Sequence, residues 1–158
     1  MTSPEGQFEP LMHAAIAQAR LAEADGDVPI GAVIERGGKI IAVARNRRII
    51  DRDPTAHAEM IALRAAAQAV GDWRLTGCTL AVTLEPCCMC AGAAILARID
   101  RLVYGAADPK AGAVTTLYQI CSDDRLNHRV EVIPGVLADA CGQLLTDFFR
   151  KQRAMGKK

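Results

Sequence analysis

The sequence predicts an α/β fold: a three-layer α/β/α sandwich around a mixed five-stranded sheet. Three observations predict it. Segments of helical periodicity alternate with short apolar runs along the whole chain. That alternation is the pattern of helices laid on the faces of a sheet. A Gly37-Gly38 pair separates two of the runs, as the turn of an antiparallel hairpin would. And two of the helical segments are apolar on most sides, as a helix is when other layers cover it.

The elements follow in order. Residues before Phe8 read as a loose arm. From Phe8 to about Asp25, the residues Phe8, Leu11, Met12, Ala15, Ile16 and Ala19 recur at helical spacing, and Gly26 ends the run. Ile30 to Glu35 and Lys39 to Asn46 are the hairpin strands. Ala56 to Val70 is a helix with apolar residues on most sides. Thr79 to Thr83 is a buried strand. Cys88 to Ala97 is a helix with no charge before Arg98, and Leu102 to Tyr104 is the next strand. Gly105 to Asn127 is the least regular stretch; its start at Asp108-Pro109-Lys110 suits a loop at a strand end, where active sites are often built. Val130 to Ile133 is the last strand. Leu137, Ala140, Cys141, Leu144, Leu145, Phe148 and Phe149 trace one face of a final helix. The whole is expected to form one domain over residues 1–158, with a core of about residues 8–153 and a basic tail.

Two short segments carry chemistry. Pro54-Thr55-Ala56-His57-Ala58-Glu59 contains H-x-E, and Glu85-Pro86-Cys87-Cys88-Met89-Cys90 contains P-C-x-x-C. One imidazole and two thiolates make three soft ligands for zinc, and the fourth position is left for water. Glu59 stands two residues from a ligand, so it can move protons without binding metal. Pro54 suits an early helical position, and Pro86 precedes an apolar helical run, so both ligand groups are expected where helices begin. Free N–H groups and the positive dipole end there stabilise thiolates. A C-x-x-C pair by itself is also compatible with a structural zinc site or a redox pair. A redox pair would follow the first strand of its own βαβ unit, whereas this one arrives mid-chain. A structural site needs a fourth ligand, and Cys88, Cys78, His13 and His128 lack ligand-like spacing. Together these residues make the signature of zinc-dependent nucleobase deaminases.

Composition narrows the partners. Of 158 residues, 51% are apolar and 23% charged, ordinary for a chain with extensive burial. No apolar stretch is long and pure enough to span a bilayer, so no membrane partner is expected. The N-terminus lacks a basic region followed by an apolar core, so the cytoplasm is the expected location, with Cys78, Cys121 and Cys141 reduced and packed. The net charge of +1 gives no global field toward nucleic acid. Charge is uneven locally, however: Arg45, Arg47, Arg48 and Arg52 precede the His57 motif, and Arg150, Lys151, Arg153, Lys157 and Lys158 crowd the C-terminus. A basic tail serves solubility or phosphate contact.

From about Phe8 to Arg153 the chain resembles the bacterial tRNA-specific adenosine deaminases, within the cytidine/deoxycytidylate deaminase superfamily. The resemblance is carried by Asp27 through Val33, Asn46-Arg47, Asp53 through Glu59, Thr83 through Cys90, Gly105 through Ala113, Asn127 through Glu131 and Phe148-Phe149-Arg150. It implies a cytidine deaminase-like fold, a homodimer, one Zn2+ per subunit and conversion of adenosine to inosine at the wobble position of a tRNA anticodon stem-loop. It further implies that His57, Cys87 and Cys90 hold the zinc and that Glu59 is the proton shuttle. Asn46 would hydrogen-bond the target base, while Asp108, Lys110, Asn127, His128 and Phe149 would line the mouth or meet neighbouring nucleotides. The residues alone leave alternatives: a local backbone bond for Asn46, a structural one for His128, and core packing for Phe148 and Phe149. The zinc signature is shared with deaminases of free guanine, cytosine or cytidine, which is the alternative activity. The chain departs from its relatives at Cys88, at Val114-Thr115-Thr116 and in the apolar pair Ile49-Ile50.

Overall fold

A computed structural model describes residues 6–157. The expected arm lies, for residues 1–5, outside the described residues, as does Lys158 of the tail; Gly6–Phe8 is a 3-10 turn leading into the first helix. The helices are α1 (Glu9–Ala24), α2 (Ala58–Val70), α3 (Cys88–Leu96) and α4 (Ala138–Ala154). The strands are β1 (Gly31–Arg36), β2 (Lys39–Arg45), β3 (Cys78–Leu84), β4 (Arg101–Ala106) and β5 (Glu131–Ile133). They form one mixed sheet in the order β2-β1-β3-β4-β5. β1 runs antiparallel to β2 and β3, and β3, β4 and β5 are parallel. This is the expected α/β/α sandwich.

Period-two alternation divides the strands between two cores. Ala32, Ile34, Leu80, Val82, Leu102 and Tyr104 pack with Ala58, Ala62, Leu63 and Ala66 of α2 and Ala91, Ala94 and Ile95 of α3. Val33, Ala81, Val103 and Ile133 point the other way, onto Met12, Ala15 and Ile16 of α1 and Cys141 of α4. Central strands covered on both faces must be apolar throughout, which is why β3 shows no in–out alternation in its sequence. Gly31 and Gly105 let helices approach closely. A Cβ on Gly31 would lie 2.0 Å from the Ala15 carbonyl oxygen of α1, and one on Gly105 would lie 2.4 Å from Cys141 Sγ of α4.

Most elements start or stop within a residue or two of expectation, and two of the shifts have local reasons. α2 begins at Ala58 rather than Ala56, because Asp53 Oδ1 accepts hydrogen bonds from the Thr55 N–H and hydroxyl and holds Pro54 in a turn before the helix. β4 runs two residues further than its apolar core, through Gly105 and Ala106, since pairing with β3 continues to Leu84↔Ala106. Gly71 closes α2 in the left-handed region at φ 79, donating to the Ala67 carbonyl. Among the described residues, no helix is long and apolar enough to cross a membrane.

Candidate functional site

The parallel strands β3 and β4 end on the same side of the sheet, and the site is built there. β3 ends at Leu84, and Glu85-Pro86 carry the chain to Cys87 at the threshold of α3. His57 stands at the threshold of α2. Both residues have extended backbones, with φ −75°, ψ 148° for His57 and φ −77°, ψ 179° for Cys87. Two helix N-termini therefore converge on one point, each offering uncommitted N–H groups and a positive dipole end. The C-x-x-C spacing folds Cys90 back onto Cys87 within the first turn of α3.

His57 Nδ1 lies 3.7 Å from Cys87 Sγ and 3.5 Å from Cys90 Sγ. A tetrahedral zinc with Zn–N near 2.0 Å and Zn–S near 2.3 Å places nitrogen and sulfur roughly 3.6 Å apart, so the three residues fit such an ion. All three ligand atoms lie within 4.8 Å of one another, and among the described residues no further His, Cys, Asp or Glu joins them. Cys88 is exposed, Cys78 is buried in a core cluster, and His128 is bonded to the carbonyl of Ile99. The group can thus hold a metal ion through three side chains.

The two thiols sit in different surroundings. The hydrogen bond from Cys90, followed by that with His57, holds the Cys87 thiol down to about 3. The same bond raises the Cys90 thiol, and contact with Cys87 raises the His57 imidazole above its ordinary value. Glu59, in the first turn of α2, is only 4% exposed. Burial raises its carboxyl above the usual carboxylate range, against its own backbone N–H and the charge of His57. A buried carboxyl of raised pKa beside a metal-ligand set can accept and return a proton.

A cavity of about 660 Å³ opens beside this group, lined by His57, Glu59 and Cys87 at its base. Asn46, Asp108, Lys110 and Phe149 also line it. Residues from five separate parts of the sequence therefore meet in one pocket. Asn46 is buried, and its Nδ2 donates to Asp27 Oδ1 at 3.0 Å; that bond fixes the amide plane and leaves the carbonyl oxygen and the second amide hydrogen uncommitted to Asp27. Asp108 Oδ1 accepts the N–H groups of Lys110 and Ala111, closing a turn on the pocket wall. Phe149 is 41% exposed while Phe148 is 6% exposed, so the final helix sends one ring to the core and one to the pocket. Asn127 and His128 lie elsewhere. Asn127 is exposed on the segment before β5, and His128 Nε2 is 2.8 Å from the Ile99 carbonyl oxygen; neither lines the cavity.

Three further residues, which the sequence does not mark as site residues, shape the site. Arg48 and Arg153, both exposed, line the pocket; each belongs to a basic cluster, but only the fold brings the two clusters to one cavity. Asp27 is fully buried, and its carboxylate accepts the N–H groups of Val28, Ile49 and Ile50 besides the Asn46 amide. In sequence, Asp27 stands among the residues that carry the family resemblance, and nothing local gives it this role.

Comparison with known proteins agrees with this geometry. The family model of MafB19-like deaminases matches residues 7–153. A tRNA-specific adenosine deaminase of Bacillus subtilis is 49% identical over 96% of this chain and 94% of its own length. A solved structure from a study of A-to-I editing by tRNA:A34 deaminases at the wobble position has a TM-score of 0.83 at 43% identity, covering 86% of this chain and 99% of that one. A guanine deaminase of Bacillus subtilis has a TM-score of 0.61 at 39% identity, covering 63% of this chain and 64% of that one.

Proposed function

We propose that this chain, which belongs to the MafB19-like deaminase family and within it to the tRNA-specific adenosine deaminases, hydrolyses adenosine to inosine at the wobble position of a tRNA anticodon. The observation that carries the proposal is the placement of Glu59 beside the His57–Cys87–Cys90 group at the base of a pocket whose mouth carries Phe149, Lys110, Arg48 and Arg153. The overall change is adenosine plus water to inosine plus ammonia.

Zinc is the ion that two thiolates and an imidazole suit best, and when bound it supplies a water with a pKa near roughly 7, nucleophilic at neutral pH. Glu59 would take one proton from a water held there and pass it to the ring nitrogen beside the attacked carbon; it would then move the remaining O–H proton of the added hydroxyl to the exocyclic amino group, which leaves as ammonia as the carbonyl forms. Such a positioned acid/base contributes about 10²–10⁴-fold to rate. Asn46 orients the base, with its amide locked by Asp27. A base buried in a stack could not reach this pocket. In an anticodon loop, extrusion costs only a few kcal/mol, and single-stranded RNA is commonly held by stacking on aromatic rings. The exposed Phe149 ring suits a neighbouring base, and Lys110, Arg48 and Arg153 suit phosphates. Contacts made by Asn127 and His128 would be with nucleotides outside the pocket.

The working unit is proposed to be a homodimer. Ile49 and Ile50 are 51% and 42% exposed, and Asp27 fixes both of their N–H groups; a rigid, exposed apolar pair suits a partner surface better than solvent. A tRNA substrate and free metal-binding thiols suit the cytoplasm.

The test is incubation with total tRNA followed by sequencing for inosine, in parallel with free adenosine, cytidine and guanine. Inosine at the first anticodon position, without release of ammonia from the free compounds, is expected. Ammonia released from free guanine or cytidine, with tRNA unchanged, would replace this function with that of a free-base or nucleoside deaminase.

A further inference from the structure

The carboxylate of Glu85 collects an unusual set of donors. Oε1 accepts the Asp108 N–H at 3.1 Å and the Thr116 hydroxyl. Oε2 accepts the N–H groups of Val114, Thr115 and Thr116 at 3.2, 2.8 and 2.9 Å. All five bonds come from a single segment, residues 108–116, which contains no helix or strand. Two backbone bonds reinforce the grip: Ala113 N–H to the Pro86 carbonyl at 2.9 Å, and Glu85 N–H to the Ala106 carbonyl at 2.8 Å. The segment wraps so tightly that a Cβ on Gly112 would lie 2.4 Å from Oε1 and 2.6 Å from the Asp108 carbonyl oxygen. Glu85 itself is 2% exposed.

A loop without repeating backbone bonds must take its shape from something else. Here that something is one buried anion, and charge-assisted bonds to a carboxylate are the stronger kind. The same segment presents Asp108, Pro109, Lys110 and Ala111 to the pocket. On the other side of Glu85 the chain continues directly into Cys87. One side chain thus joins the metal-binding turn to the wall that a polynucleotide would meet.

We infer that Glu85 is a positioning residue for RNA binding: it fixes the 108–116 wall in the shape that receives the nucleotides around the target adenosine. The inference rests on the proposed tRNA activity for its substrate, and on the five bonds for its geometry. Substitution Glu85→Gln keeps the shape of the side chain but turns one acceptor into a donor. A nitrogen in place of Oε2 opposes the three N–H groups of Val114, Thr115 and Thr116, and one in place of Oε1 opposes the Asp108 N–H, while the Thr116 hydroxyl can turn to accept.

The experiment compares wild type, Glu85→Gln and Thr116→Val as zinc-loaded full-length proteins. In Glu85→Gln, hydrogen exchange of the 108–116 amides is expected to rise about tenfold or more, and KM for an anticodon stem-loop to rise about tenfold or more with kcat little changed. Zinc content should stay at about one per chain. Thr116→Val, which loses only a hydroxyl bond, should fall between the two and serves alone if Glu85→Gln fails to fold. Unchanged exchange and unchanged KM would overturn the inference. So would a fall in kcat accompanied by zinc loss at constant KM, which would assign Glu85 to the metal turn instead. If the wild type makes no inosine, the functional proposal falls, while the exchange comparison still decides whether Glu85 holds the loop.

Discussion

In the proposed reaction, Glu59 has a different role from His57, Cys87 and Cys90. The thiols and the imidazole could hold a cation together, while Glu59 is buried and its carboxyl is raised above the usual range by that burial. Substitutions should separate these roles. Glu59→Gln is expected to keep about one zinc per chain and lose about 10²–10⁴-fold in kcat. Cys87→Ser is expected to lose both metal and turnover, because two remaining ligands do not complete a catalytic site. Metal analysis beside single-turnover kinetics checks both; loss of zinc from Glu59→Gln would make Glu59 a ligand. Asp27 acts one step further out. Asp27→Asn turns one of two acceptor oxygens into a donor, so it opposes two of the four donors there and loosens either the Val28-Asn46 side or the Ile49-Ile50 turn. Stability should fall by about 1–3 kcal/mol with zinc retained, measured by urea unfolding and metal content.

At the scale of elements, the site depends on how closely helices sit on the sheet. α1 rests on β1 at Gly31, where a methyl group would press on helix backbone rather than on a flexible side chain. Gly31→Ala should therefore cost about 1–3 kcal/mol or more, as overpacking does; a urea midpoint equal to wild type would show that α1 can shift without loss. α4 has a double duty. Phe148 anchors it while Phe149, its edge-to-face neighbour at 5.3 Å, remains at the pocket. Phe149→Ala is accordingly expected to weaken binding of an anticodon stem-loop by about 1–3 kcal/mol with little change in the melting temperature. A large drop in melting temperature would place Phe149 with the core instead.

For the whole molecule, charge matters locally and not in sum. The net charge is +1, yet the pocket mouth is framed by Arg48, Lys110 and Arg153. RNA affinity should consequently weaken with added salt, with a logarithmic slope of roughly −0.7 per phosphate contacted. The pair Arg150→Gln and Arg153→Gln should flatten that slope by about 0.7 to 1.4 and leave the fold intact, since among the described residues the ion pair of Arg150 is with the half-exposed carboxylate of Asp147. An unchanged slope would mean that neither arginine meets phosphate.

Fold class and metal-ligand group are both legible without coordinates, because each depends on spacing within short segments. Alternating periodicities dictate the layers, and H-x-E with P-C-x-x-C puts each set of ligands on one helical turn. Helix starts were less legible: Pro54 reads as helical until the Asp53–Thr55 turn claims it. What only tertiary structure decided is the company the residues keep. Asn46, Asp108, Lys110 and Phe149 become one pocket because β3 and β4 end together and α4 packs beside them. The same folding leaves His128 on the Ile99 carbonyl, away from that pocket. It also turns Asp27 and Glu85 into organisers, since a carboxylate's role depends on which donors the chain brings to it, and those donors lie at distances in sequence that no local pattern encodes.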